Sequence, residues 1–133
     1  MDLLDDYLMK CSGSEFSWPK NNCGHFSAGW VLRAEGEDKL AGIEFPDTVE
    51  KVAEFVATYG SMVDMVTKLL GRHPITPSFA MRGDLVFSPL KSDQGCGGLL
   101  GICNGSTAIF LREGSGFVTL RMRFVTHAWR INQ

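Results

Sequence analysis

The sequence predicts an α+β domain in which N-terminal helices pack on a C-terminal antiparallel sheet. Up to about residue 71, apolar residues recur at the spacings of three and four that are typical of helices. After Gly83 the pattern changes to short apolar runs separated by turns, which indicates a meander of strands. No linker or repeat divides the 133 residues, so we expect a single domain over residues 1–133.

The first two helices are expected near the start of the chain. Residues 1–10 place several leucines on one helical face, which predicts a short amphipathic helix. A Ser, Gly, Pro and Asn-rich loop follows, and a second helix begins near Cys23, where Asn21 or Asn22 can cap it. Gly36 and its charged neighbours end that helix.

Two further helices have clear start and stop signals. Asp47 and Glu50 form a capping pair for the third helix, and Ser61 and Asp64 form one for the fourth. A methionine stripe on the fourth helix is typical of core packing. A glycine is expected to end each helix, at Gly60 and Gly71.

Five short strands are expected in the second half. The turn at Asn104-Gly105 is typical of a hairpin, so the strands on either side of it should pair. The last segment is expected to add a strand at an edge of the sheet. The predicted strands cover residues 85–87, 99–103, 107–111, 117–124 and 126–131.

Composition excludes several classes of protein. Hydrophobic residues make up 44% and charged residues 21% of the chain, as in ordinary globular domains. A net charge of −2 argues against nucleic acid as a partner. No apolar run approaches the roughly 20 residues of a membrane span. The acidic start lacks the basic residues of a secretory signal, so we expect no secretion by a signal peptide.

The four cysteines are expected to be reduced. They are separated by at least six residues, so no close Cys-x-x-Cys pair indicates a metal site. Without a secretory signal, a disulfide framework is not expected either. We therefore expect no metal and no cofactor. The four positions are Cys11, Cys23, Cys96 and Cys103.

Cys23 is the candidate nucleophile. A thiol in the first turn of a helix lies in the positive field of the helix dipole, beside backbone N–H groups that lack helical partners. Both effects stabilise the thiolate and lower the thiol pKa. The same N–H groups can stabilise an oxyanion that forms when the sulfur attacks an acyl carbon. The alternative hypothesis is a cysteine retained for packing.

Three blocks of the chain resemble the papain-like cell-wall peptidases of the NlpC type. Residues 16–26 (FSWPKNNCGHF) look like the segment that carries their nucleophile at a helix start. Residues 83–87 (GDLVF) are similar to their first strand, and residues 99–105 (LLGICNG) are similar to their next strand. The resemblance implies a papain-like fold, with Cys23 as the nucleophile and Trp18, Asn22 and Leu99 at the cleft.

The chain is also similar to a small set of phage-encoded proteins found near tail genes. The similarity lies in three short blocks at residues 21–23, 82–84 and 128–130. It implies a protein that belongs to the phage tail, or that acts in the host cytoplasm during tail assembly. Its implied partners are other tail proteins.

The proton acceptor of the NlpC-type peptidases is missing from its expected position. In those enzymes a histidine starts the second strand, and the resemblance aligns Leu99 with it. A leucine cannot accept a proton, and a nucleophilic cysteine needs a base within reach. His127 is the candidate substitute, provided that the last strand lies beside the strand of Leu99. His25 should face away from Cys23, and His73 lies in a proline-rich loop.

Two functions follow from these observations. The first is a structural or assembly component of a phage tail on an NlpC-like fold, without peptidase activity. The second is a cysteine hydrolase, a peptidoglycan endopeptidase or amidase, that uses Cys23 as its nucleophile and His127 as its base. A binding module that uses the remaining cleft is a third interpretation. Trp129 and Arg130 are expected at a protein interface, where Trp and Arg are enriched.

Overall fold

The computed structural model describes residues 2–12, 23–44, 46, 48–90, 98–112 and 116–133. Within them the chain forms four helices followed by an antiparallel sheet of five strands, which confirms the α+β prediction with helices first. The helices are α1 (Leu3–Cys11), α2 (Cys23–Glu35), α3 (Val49–Tyr59) and α4 (Met62–Leu70). The strands are β1 (Leu85–Ser88), β2 (Leu99–Cys103), β3 (Thr107–Arg112), β4 (Gly116–Arg121) and β5 (His127–Trp129).

The helix ends are set by short polar side chains and glycines. The Ser61 hydroxyl caps α4 by accepting a bond from the Asp64 N–H at 3.1 Å, and Gly71 ends the helix in the left-handed conformation, as expected. The expected cap of α3 is wrong by one residue. Thr48 caps it, by accepting a bond from the Lys51 N–H at 3.3 Å, while Asp47 lies outside the described residues.

The strand order in the sheet is β4-β3-β2-β1-β5. The final strand therefore pairs with β1 and not with β2, with His127 opposite Phe87 and Trp129 opposite Leu85. The predicted fourth strand was too long. β4 ends at Arg121, and residues 122–124 form a 3-10 turn that redirects the chain across the sheet to β5.

Both faces of the sheet are buried. On the helix side, β1 and β2 contribute Leu85, Phe87, Leu100 and Ile102 to a large core shared with all four helices. On the opposite side, the outer face, a smaller cluster is covered by residues 75–80 and 120–125. That outer cluster contains Val86, Leu99, Cys103, Ala108, Phe110, Val125 and Ala128.

Helix α2 is fixed against the sheet by aromatic side chains. Near its beginning, the Phe26 ring contacts Phe117 of β4, with centroids 5.3 Å apart. Towards its end, the Trp30 indole N–H donates to the Gly83 carbonyl, just before β1, at 2.6 Å. Gly83 has a φ of +97°, and a Cβ atom there would contact the Trp30 ring. The helix therefore begins at the end of the sheet where β1 ends and β2 starts.

A partly buried ion pair ties α2 to the end of the chain. Arg72 donates two bonds to Glu35, at 2.6 and 2.7 Å, and a third to the Arg130 carbonyl at 2.8 Å. The Asn132 N–H also donates to Glu35, at 2.7 Å. The bidentate bond from Arg72 lowers the pKa of the Glu35 carboxyl below its ordinary value.

Candidate functional site

The backbone places Cys23 at the first residue of α2, as the sequence predicted. The first turn of this helix contains no acidic side chain. Its N–H groups and dipole would therefore favour a negative charge near this position. The expected cleft residues Trp18 and Asn22 lie outside the described residues, as do the second candidate cap Asn21 and the fourth cysteine, Cys96.

Leu99 does not face this helix, so its expected place in the cleft is wrong. Its side chain lies in the outer cluster with Val86 and Ala128, on the opposite side of the sheet from α2. Its neighbour Leu100 faces the helices instead. Because successive side chains of a strand point to opposite faces, the residue at the start of β2 that shares the face of Leu100 is Gly98.

Phe87 fills the space above Gly98. A Cβ atom at Gly98 would lie 2.5 Å from Cζ of the Phe87 ring, and it would also meet the Ser88 carbonyl oxygen. Any side chain at this position is therefore excluded while the Phe87 ring and the Ser88 carbonyl keep their places. The sequence did not indicate this role, because Phe87 reads only as one member of a buried apolar run.

His127 lies on the helix side of the sheet, one strand beyond Phe87. Its ring contacts the Phe87 ring edge-on, with centroids 6.0 Å apart, and it stacks on Trp129 at 6.5 Å. Its Nδ1 lies 3.0 Å from the Thr126 hydroxyl. The condition set for His127, a last strand beside the strand of Leu99, is not met, since β1 separates β5 from β2. Two strand spacings amount to roughly 10 Å.

The other histidines lie away from the sheet. His25 lines a cleft of about 370 Å³ between α2 and residues 38–43, together with Asp38 and Leu40. Burial lowers the pKa of the His25 imidazole, which favours its neutral form at pH 7. His73 is exposed in the loop after α4.

A narrow cavity of about 40 Å³ lies on another side of α2, against α4 and the sheet. Apart from Ser27 and Lys39, its lining is apolar or glycine and includes Gly24 and Leu100. The Ser27 hydroxyl is buried and has no hydrogen-bond partner among the described residues. The cavity holds roughly three water molecules. It is far smaller than the roughly 300 Å³ and above of ordinary ligand pockets.

The expected interface role of Trp129 is wrong, because its side chain is fully buried. The Trp129 indole N–H donates to the Thr67 hydroxyl at 3.1 Å, which fixes β5 against α4. Arg130 is partly exposed, but its guanidinium bonds within the chain. It donates to the Phe79 carbonyl at 3.0 Å and contacts the Met81 sulfur at 2.9 Å.

The turn at residues 82–84 is a structural junction. The buried Asp84 carboxylate accepts bonds from the N–H groups of Met81 at 2.8 Å and Ile131 at 3.0 Å, and Arg130 Nε lies 3.4 Å away. Arg82 pairs with Asp2 at 2.7 Å and thereby anchors the start of α1. The blocks at 82–84 and 128–130 thus meet in space, a relationship that their separation in sequence concealed.

Within the part of the chain that the structure describes, no three His, Cys, Asp or Glu side chains come together to hold a metal ion. Cys11 and Cys103 are free thiols, and burial raises the pKa of Cys103, which lies on the outer face. None of the described helices is long and apolar enough to cross a membrane.

Comparison with known proteins identifies one family. No curated protein matches the sequence. A family model does match, and it extends over residues 2–131, nearly the whole chain. The protein therefore belongs to the family described as a domain of unknown function, DUF6950.

Proposed function

We propose that this protein is a structural or assembly component of a phage tail, built on a papain-like fold of the NlpC type and without peptidase activity. The resemblance to phage proteins near tail genes motivates the assignment to the tail. The absence of activity is inferred from the start of β2, beside the helix of Cys23. There the Phe87 ring occupies the space next to Gly98, so no base side chain can be present on the face of β2 that is turned towards that helix. Its partners would be other tail proteins, in the particle or in the host cytoplasm during assembly.

Three structural observations support the absence of a cysteine–histidine pair of the peptidase type. Leu99 faces away from α2, so even a histidine at this position would not approach Cys23 in the present register. Gly98 has no room for a side chain. The nearest strand with a histidine, β5, is separated from β2 by β1. A base must come within about 3 to 4 Å of the sulfur, directly or after a small movement.

Alkylation of Cys23 tests this proposal. We expect iodoacetamide at pH 6 to modify Cys23 at the same rate in the unchanged protein and in His127→Ala, because no base assists the thiol, with mass spectrometry reporting each cysteine separately and half-buried Cys11 as the internal reference. The purified protein should leave peptidoglycan intact. In the phage, the Cys23→Ala variant should assemble normal tails, whereas deletion of the gene should prevent assembly. Cleavage that is lost in Cys23→Ala would overturn the proposal.

The second candidate is a cysteine hydrolase that acts on peptidoglycan, with Cys23 as nucleophile and His127 as base. The position of His127 favours it, because this histidine faces the helix side at the end of the sheet where α2 begins. For this candidate, alkylation of Cys23 at pH 6 should be fast and should slow at least tenfold in His127→Ala. Cleavage should be lost in both Cys23→Ala and His127→Ala.

A further inference from the structure

The two edges of the sheet differ in how they are covered. At one edge, β5 has only three residues, and its side away from β1 is bonded by Ile75, whose N–H donates to the Ala128 carbonyl at 2.7 Å. At the other edge, β4 has six residues and pairs with β3. Among the described residues, no backbone hydrogen bond joins β4 to any element except β3. Alternate residues of β4 therefore direct their N–H and C=O groups away from the sheet.

The sequence of β4 does not protect this edge. Natural sheets discourage further pairing at an open edge with prolines, bulges or charged side chains. The strand (GFVTLR) contains no proline, and its single charged residue, Arg121, is its last. Its pairing with β3 is unbroken from Gly116 to Arg121, so no bulge turns the strand aside. An unprotected edge of this length is suited to the addition of another strand.

The side chains of β4 alternate between the two faces of the sheet. Phe117 packs on the core of the helix side, and by alternation Thr119 and Arg121 belong to that side as well. Leu120 packs on the outer cluster, and Val118 shares its face. Thr119 and Arg121 are exposed, so the helices do not cover this part of the strand. The helix side of β4 is therefore open to solvent at these two positions.

We propose that β4 pairs with β4 of a second copy, in antiparallel orientation about a two-fold axis at Thr119. The two five-stranded sheets then join into one continuous sheet, with the helices of both copies on the same side. In this register Thr119 lies opposite Thr119 of the second copy. On one side of the axis Val118 lies opposite Leu120 and Phe117 lies opposite Arg121, and the symmetry repeats both pairs on the other side.

This register makes the strand complementary to itself. On the outer face it twice brings together two apolar side chains, Val118 and Leu120, and such cross-strand pairs stabilise a sheet. On the helix side each Arg121 faces the half-buried Phe117 ring of the other copy. A guanidinium beside an aromatic ring is favourable, whereas two arginines facing each other would repel.

Moving the axis by one residue in either direction loses contacts. In one direction Leu120 comes opposite Gly116, which has no side chain. In the other direction Val118 comes opposite Met122, which belongs to the 3-10 turn and packs on the outer cluster. The first register is thus the one that pairs all of residues 117–121 within the strands. Because the strand finds its best match in its own sequence, we infer a second copy as the partner and not an unrelated extended segment.

Sedimentation velocity on the full chain tests the proposal. We expect a dimer and no larger species, because each copy contributes one β4 edge. Thr119→Lys should weaken the dimer at least about fivefold, since two lysines then face each other at the axis. Ser106→Lys places the same charge at an exposed residue between β2 and β3 and should leave the dimer unchanged. Circular dichroism would verify that each variant is folded.

Mixing two charge variants identifies both the partner and the register. Thr119→Glu alone should weaken the dimer as Thr119→Lys does, whereas an equal mixture of the two should restore it, because a lysine then faces a glutamate. A chain that stays monomeric at about 1 mM would overturn the proposal. A dimer that Thr119→Lys does not weaken, or a mixture that associates no better than its components, would overturn it as well. None of these outcomes depends on the reactivity of Cys23.

Discussion

The Phe87 ring and Gly98 are in close contact at the point where β1 ends and β2 starts. The contact leaves no space for a β-carbon on the helix side of the sheet. We therefore expect Gly98→Ala to lower the free energy of unfolding by about 1–3 kcal/mol, as overpacked cores do. Urea unfolding would measure the loss, with the exposed substitution Ser106→Ala as the control. An unchanged midpoint would show that both the Phe87 ring and the Ser88 carbonyl can move aside.

The Glu35–Arg72 pair should make stability depend on pH. The pKa of Glu35 is lowered in the fold by the bonds from Arg72, so the stabilisation is present above the ordinary glutamate pKa of 4.5 and is lost as the pH falls through the lower, folded value. At pH 7, Glu35→Gln should cost about 1–3 kcal/mol. The difference between the two proteins should shrink in unfolding experiments below pH 4.5. A difference that grows towards acid pH would contradict this account.

Trp129 should behave as a core residue. Trp129→Ala removes a fully buried indole and its bond to Thr67, so we expect a loss of about 3–5 kcal/mol. Phe79→Ala is the matched aromatic control, since that ring is 70% exposed and its removal should change stability by less than about 0.5 kcal/mol. Thermal unfolding of both variants measures the contrast. Equal effects would mean that Trp129 is not in the core.

The Asp84 carboxylate should be needed as a charged acceptor. Asp84→Asn replaces one acceptor oxygen by an N–H donor, which would then face the N–H group of Met81 or Ile131. We expect a loss of about 1–3 kcal/mol in denaturant unfolding. Asp6→Asn, at an exposed position of α1, provides the control with the same chemical change. If the two variants were equally stable, the junction at residues 82–84 would not depend on this carboxylate.

Local signals predicted the helices well because they act within a few residues. The Ser61 cap and the Gly71 stop of α4 depend on bonds inside one turn of helix, and both are confirmed. Cys23 at the start of α2 follows from the polar loop before it and the apolar spacing after it. The strand prediction over residues 117–124 overran because Met122 keeps the apolar alternation while it packs on the outer cluster from a 3-10 turn.

The arrangement of the candidate site could not be predicted from short sequence patterns. In β2 every residue is buried, so the apolar run at residues 99–103 gives no indication of which face Leu99 takes. The last segment was expected to form a strand, but its neighbour in the sheet is decided by contacts 40 or more residues away, between His127 and Phe87 for example. The space above Gly98 likewise depends on a ring from another strand.

The pairing of β5 with β1 also has a kinetic consequence. These strands lie at opposite ends of the sheet-forming segment, so they can join only after a long loop has closed. Until then β1 has one open edge, with N–H and C=O groups that any other extended chain can bind. The molecule should therefore be most prone to aggregation just before its final strand is in place.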